Sequence, residues 1–179
     1  MSVAAPRIPP GSRRDIGVVS AVIAAVAGRV IGSGPPHIFT TLARHRRLFL
    51  SWLWFAGRLM PRGRLPRQDT ELVILRVAHN CHCDYEWRHH ERIAQTVGLG
   101  PDDVARVRGG PEAEGFSERH ALLLGAADEL HASRDISHQL WDSLRRSLSD
   151  VELIELCMLV GHYEMVAMTL NALRVQPDR

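Results

Sequence analysis

Apolar residues recur along most of this chain every three or four positions, the spacing of helices with one buried face, and no stretch makes a convincing strand pair, internal repeat or coiled-coil heptad. Helices are expected over 16–31, 38–59, 67–78, 83–97, 117–131 and 136–148, with a last one ending near Leu173. Pro101-Asp102-Asp103 opens a further turn, and Ser149-Asp150-Val151-Glu152 matches a capping box ahead of the last helix. Pro66 is placed to open the helix over 67–78, and Gly98 to close the one over 83–97. The run from Leu72 to Ala78 is so continuously apolar that a buried strand competes with a helix buried on most sides. The reading is an all-α fold of six to eight helices, a single domain over 16–179, behind a flexible arm at 1–15 that carries Pro6, Pro9, Pro10 and Gly11.

Composition narrows the chemistry. All 22 basic residues are arginine, so a lysine Schiff base and a P-loop lysine are excluded. Residues 1–67 hold eleven arginines against Asp15 alone, and 68–179 hold eleven against nineteen acids, which splits the net +2 into about +10 and −8. The basic arginines are scattered among apolar residues without a reader motif, so a solvated face or an acidic partner subunit is preferred to nucleic acid. Three cysteines, Cys81, Cys83 and Cys157, form no secreted disulfide framework and favour a cytoplasmic location. The apolar run over 16–31 is short and interrupted by Arg29, so an early helix is favoured over a membrane span, with a cleaved signal as the alternative.

The informative segment is Cys81-His82-Cys83-Asp84-Tyr85-Glu86-Trp87-Arg88-His89-His90. On a helix, Cys83, Glu86, His90, Ile93, Ala94 and Val97 share one stripe, while Asp84, Arg88, Glu91 and Gln95 share the solvated one. The buried stripe therefore begins with a thiol, a carboxylate and an imidazole, groups that are costly to bury without partners. Glu71 sets a second carboxylate against apolar neighbours Leu75 and Ala78. Two carboxylates near a histidine can have their pKa values pushed apart, which provides an acid and a base near neutral pH. The plainer alternative is that Glu86 and His90 form an ordinary i, i+4 pair and that Glu71 caps a helix or pairs with an arginine.

Glu71-Leu72-Val73-Ile74-Leu75-Arg76-Val77-Ala78 followed by Cys83-x-x-Glu86-Trp87-x-x-His90 resembles the signature of the carboxymuconolactone decarboxylase family, which includes the alkylhydroperoxidase D-like (AhpD-like) proteins. The resemblance runs over about residues 36–175 and includes Val166-Ala167-Met168-Thr169-Leu170-Asn171. It implies an AhpD-like helical fold, assembly as a trimer or hexamer, and a site made of Glu71, Cys83, Glu86 and His90. In the family's peroxidase branch the pattern is a glutamate, a Cys-x-x-Cys pair and a histidine four residues after the second cysteine. Here these fall on Glu71, Cys83 and His90, and the second cysteine, the one that attacks peroxide, is replaced by Glu86. A carboxylate cannot form a sulfenic acid or close a disulfide, and Cys81 is too near Cys83 to resolve it without a strained turn.

The resemblance therefore points to proton transfer on a small organic acid or lactone, with Glu86 and His90 as the working pair. His90 is expected to protonate the enolate left by loss of carbon dioxide, with Glu86 or Glu71 orienting it and an arginine the sequence does not single out holding the substrate carboxylate. A peroxiredoxin-like thiol activity through Cys83 and a non-catalytic oligomeric binding protein are the alternatives. No cofactor is called for. A zinc site from Cys81, His82, Cys83, His89 and His90 is disfavoured, since Cys-x-Cys lacks a matching second pair. His162, Tyr163 and Glu164 border either the site or a helix-packing surface, Cys157 reads as core, and the four tryptophans read as core or interface anchors.

Overall fold

A computed structural model of the chain describes residues 5–30 and 32–178. Every regular element among them is a helix: α1 (Arg13–Val30), α2 (His37–Leu42), α3 (Arg46–Leu59), α4 (Arg67–Asn80), α5 (Asp84–Thr96), α6 (Pro101–Val107), α7 (Glu118–Ser133), α8 (His138–Ser147) and α9 (Asp150–Leu173). The fold is all-α as expected, but the described residues form nine helices in place of six to eight, and the surplus has local causes. The stretch expected as one helix over 38–59 is interrupted after Leu42, and His45 Nδ1 accepts the N–H of Leu48 at 3.3 Å to start α3 afresh. The turn at Pro101 continues as α6 because Asp103 accepts the N–H of Gly100 at 3.0 Å and caps it.

The helix contacts group the described residues into two compact units, one drawn from Met1–Gly57 with Thr169–Arg179 and the other from Arg58–Met168. In the first, α1 packs on α2, and Ile16, Ala43 and Phe49 form a buried cluster on which Phe39 and Trp52 pack edge-on to one another. Gly17 breaks the α1 helix at φ 78°, a left-handed conformation that favours glycine, and the Arg46 guanidinium binds the Arg14 and Asp15 carbonyls there. Of the arm expected at 1–15, residues 1–4 lie outside the described residues, as does Ile31 of the first expected helix. Arg7 N–H donates to the Leu173 carbonyl at 3.0 Å, Gly11 N–H to the Thr40 carbonyl at 2.9 Å, and Arg44 to the Pro9 carbonyl at 2.9 Å.

The second unit is organised by α4, which packs against α5, α6 and α7. Nine of its fourteen residues are buried, Asp69 to Leu75 with Val77 and Ala78. Helices on several sides account for the continuous apolar run that left a strand open as an alternative. Leu72, Leu75 and Ala78 join Trp87 and Ala94 of α5, Val104 and Val107 of α6, and Leu124 of α7 in one core. The polar residues of α4 are paired: Asp69 with Arg119 at 2.7 Å, and Arg76 with Asp128 through two hydrogen bonds, a bidentate contact that Asn80 joins at 2.8 Å. α9 is long and apolar enough to cross a membrane by length and composition, and half of its most apolar window is buried in the structure. Cys157, expected in the core, is only half-buried on α9.

Candidate active site

The turn between α4 and α5 positions the site. His82 adopts a left-handed backbone (φ 50°), its N–H reaches the His79 carbonyl at 3.1 Å, and the Cys83 N–H reaches the Ala78 carbonyl at 2.8 Å. This is a Schellman closure of α4 with histidine where glycine is usual. Because the closure is so short, Cys83 both ends this turn and serves as the N-cap of α5, with the stripe Glu86, His90 and Ala94 directed inward.

All four residues expected in the site are buried: Glu71 is 0% exposed, Cys83 1%, Glu86 2% and His90 4%. Two of them are joined directly, His90 Nδ1 donating to Glu71 Oε2 at 2.7 Å. The other Glu71 oxygen accepts from Arg67 Nη2 at 3.0 Å. The residue that orients His90 is therefore Glu71, nineteen positions away, and the i, i+4 pairing of Glu86 with His90 does not form. With its proton on Nδ1 engaged by Glu71, the ring has Nε2 left to give or take a proton.

Glu86 has no such support. Both carboxylate oxygens are buried without a hydrogen-bond partner among the described residues, and burial raises its pKa well above the ordinary value. Burial likewise pushes the Cys83 thiol up to about 12, with the Glu86 charge adding to it and the backbone N–H groups of Glu86 and Tyr85 pulling the other way. Cys83 thus carries little of the thiolate that nucleophilic thiol chemistry requires.

Sequence reasoning left Arg67 unidentified and Tyr163 undecided. Arg67 stands one helical turn before Glu71, and its Nη1 atom is buried without a hydrogen-bond partner among the described residues. The Tyr163 ring packs edge-on to His90 with centroids 5.1 Å apart, and His162 packs edge-on to Tyr163 at the same distance. The Tyr163 hydroxyl donates to Met60 Sδ at 3.7 Å, and burial first, then Glu86 and Glu71, raise its pKa well above the usual phenol value, keeping it neutral. Burial also lowers His162 to about 4, with the neighbouring His90 contributing. The i, i+4 spacing of Arg67 and Glu71 was the one available signal for Arg67; the approach of α9 to His90 left none for Tyr163.

The environment of Glu86 has a measurable consequence. A carboxyl whose folded pKa is raised keeps its proton while the unfolded chain ionises, so its stability contribution is complete below about pH 4.5 and is lost as pH rises towards the folded value. Its slope is at most about 1.4 kcal/mol per pH unit. His162 acts in the opposite sense, its contribution being present above about pH 6.5 and lost as pH falls towards about 4. Urea denaturation of wild type and Glu86→Gln from pH 5 to 8 isolates the first effect. The wild type should lose stability relative to the variant as pH rises, and parallel profiles would mean that Glu86 is not buried as a neutral acid.

Residues 47–129 match the carboxymuconolactone decarboxylase family. No curated protein matches the chain significantly in sequence. Among solved structures, the chain is similar to the alkylhydroperoxidase AhpD core of a peroxidase-related protein from Ralstonia eutropha, at 17% identity and TM-score 0.87 over 98% of this chain and 94% of that one. It is similar to a peroxidase-related protein from Silicibacter sp. at 15% identity and TM-score 0.84, over 98% and 95% of the two chains. It is also similar to the debrominase Bmp8, solved with 2,3,4-tribromopyrrole, at 14% identity and TM-score 0.82, over 98% and 93%. At these identities the shared property is the fold. The sequence match to the carboxymuconolactone decarboxylase family covers residues 47–129, and the likeness to the solved structures shows that the chain adopts an AhpD-like helical fold.

Proposed function

We propose that the buried cluster of Glu71, Glu86 and His90 performs proton transfer on a small organic acid or lactone. The observation that carries this reading is the contrast between two buried carboxyl groups. Glu71 accepts hydrogen bonds from Arg67 and His90, whereas Glu86 stands without a partner and is held neutral by burial. A paired carboxylate and an unpaired neutral acid around one imidazole is how a site obtains an orienting anion and a proton donor at the same pH. Loss of carbon dioxide from an unsaturated lactone acid leaves its bonding electron pair as an extended enolate. His90 Nε2 delivers the proton to carbon, and the ring regains one from solvent. Glu71 orients the ring, and Glu86 donates a hydrogen bond to the substrate oxygen that gains charge. Cys83 stays beside Glu86 as a thiol.

Thiol chemistry is the second reading. The similar structures include peroxidase-related proteins and a debrominase, and Cys83 sits at the N-terminus of α5, where such a thiol would act. Its elevated pKa argues against it. The test is turnover of unsaturated lactone acids by the wild type, by Cys83→Ser and by His90→Ala. Acid/base chemistry withstands Cys83→Ser and requires His90, whereas reductant-dependent consumption of peroxide lost in Cys83→Ser would establish the thiol reading. If neither assay responds, the remaining reading is a binding protein.

We further propose a homo-oligomer, a trimer or hexamer. Val151, Ile154, Met158, Met165 and Met168 are exposed at heptad-like spacing along α9, a stripe that a lone chain leaves in water. Light scattering on the eluted protein should give a multiple of the 20.0 kDa chain mass. A uniform monomer would remove this part of the proposal.

A further inference from the structure

We propose that Cys81, His131 and Glu164 form a zinc(II) site, made of residues that play no part in the Glu71–His90 network. Cys81 lies in the turn after α4, His131 in the last turn of α7 and Glu164 within α9, so the cluster joins three separate elements of the second unit. Their ligand atoms all lie within 4.8 Å of one another. Cys81 Sγ is 3.9 Å from His131 Nδ1, and the same nitrogen is 2.6 Å from Glu164 Oε1.

The geometry distinguishes this cluster from a catalytic relay. A thiol–imidazole–carboxylate relay uses the two opposite nitrogens of the ring, one facing the thiol and the other the acid. Here the sulfur and the carboxylate both address Nδ1, so three donor atoms converge on one point. Convergence is what a cation requires. The donor set selects among cations: calcium and magnesium take oxygen ligands, whereas one sulfur, one nitrogen and one oxygen suit zinc.

Bond lengths of about 2.0–2.3 Å to zinc separate tetrahedral ligand atoms by roughly 3.3–3.6 Å. The sulfur–nitrogen distance is close to this, and the shorter imidazole–carboxylate contact has to open by less than about 1 Å. The surroundings already orient the carboxylate. Arg134 ends α7 in a left-handed conformation (φ 65°), and its Nη1 donates to Glu164 Oε2 at 3.2 Å and to the His131 carbonyl, leaving Oε1 for the metal. All three ligand residues are half-buried, so the site is reachable from solvent. Binding releases the Cys81 thiol proton to solvent; the thiolate and the Glu164 carboxylate then balance the two positive charges, and water fills the fourth position.

The test uses the whole chain, stripped with a chelator and kept reduced. Zinc chloride is titrated calorimetrically and cobalt(II) chloride spectroscopically. One equivalent of zinc per chain is expected, with a thiolate-to-cobalt charge-transfer band that Cys81→Ser abolishes. His131→Ala and Glu164→Gln should each weaken zinc binding by at least about tenfold. The isosteric Glu164→Gln keeps the question decidable if Cys81→Ser folds poorly by circular dichroism. Absence of saturable binding, or stoichiometric binding that all three variants retain, would overturn the proposal.

Discussion

His90→Ala is expected to lower turnover of an unsaturated lactone acid by about 10²–10⁴-fold, the usual contribution of a positioned acid or base. The loss should fall on kcat, because the ring acts on the intermediate and does not anchor the substrate. The far-ultraviolet circular dichroism should stay helical, since α5 is also held by Tyr85, Trp87 and Ala94. Cys83→Ser should keep most of its turnover, because Cys83 is held as a thiol and lies outside the proton path. Unaltered activity in His90→Ala would remove the imidazole from the mechanism. Full loss in Cys83→Ser with His90 intact would transfer the chemistry to the thiol.

Glu71→Ala is expected to produce the largest loss of stability of any single change in the buried cluster. It leaves His90 buried without its partner and Arg67 without its anion, and it opens a void where a fully buried side chain stood. Breaking a buried charged pair costs about 3–5 kcal/mol. The lower end applies, because the Arg67 side chain is 33% exposed and regains water, so that its half of the interaction is worth no more than a surface pair. A loss of about 3 kcal/mol corresponds to a fall in Tm of about 6–12 °C for a chain of this size. The double variant Glu71→Leu with His90→Leu should recover much of it, since an apolar pair of similar volume removes both desolvation costs. Calorimetry of the single and double variants checks this, and a single-variant shift within 1 °C would show that the Glu71–His90 contact contributes little.

Much of the helical architecture was legible because its signals are local. The capping box at Ser149 and Glu152 forms as its spacing requires, with the Ser149 N–H donating to Glu152 at 2.8 Å. Gly98 closes α5 at φ 90°, where a Cβ would meet Gln68 at 2.9 Å. The stripe of Cys83, Glu86 and His90 was equally legible, since residues three and four apart share a helix face whatever that face packs against. The helix count was not, because it turned on side-chain caps at His45 and Asp103 that no periodicity marks.

Periodicity in the chain settles which side of each helix turns inward, and the residue types on α5 mark that side as chemically unusual. It carries no information on which other helix arrives there, or at what height. His90 finds Glu71 across nineteen residues, Tyr163 reaches it from α9, and Cys81 meets His131 and Glu164 fifty and thirty-three residues from one another in turn. Those meetings depend on how packed helices cross, a property of the summed shapes of many side chains that no single segment encodes. For the same reason the two carboxylates, alike in the sequence, differ in the folded chain: Glu71 lies where Arg67 and His90 can reach it, and Glu86 lies where no hydrogen-bond partner among the described residues does.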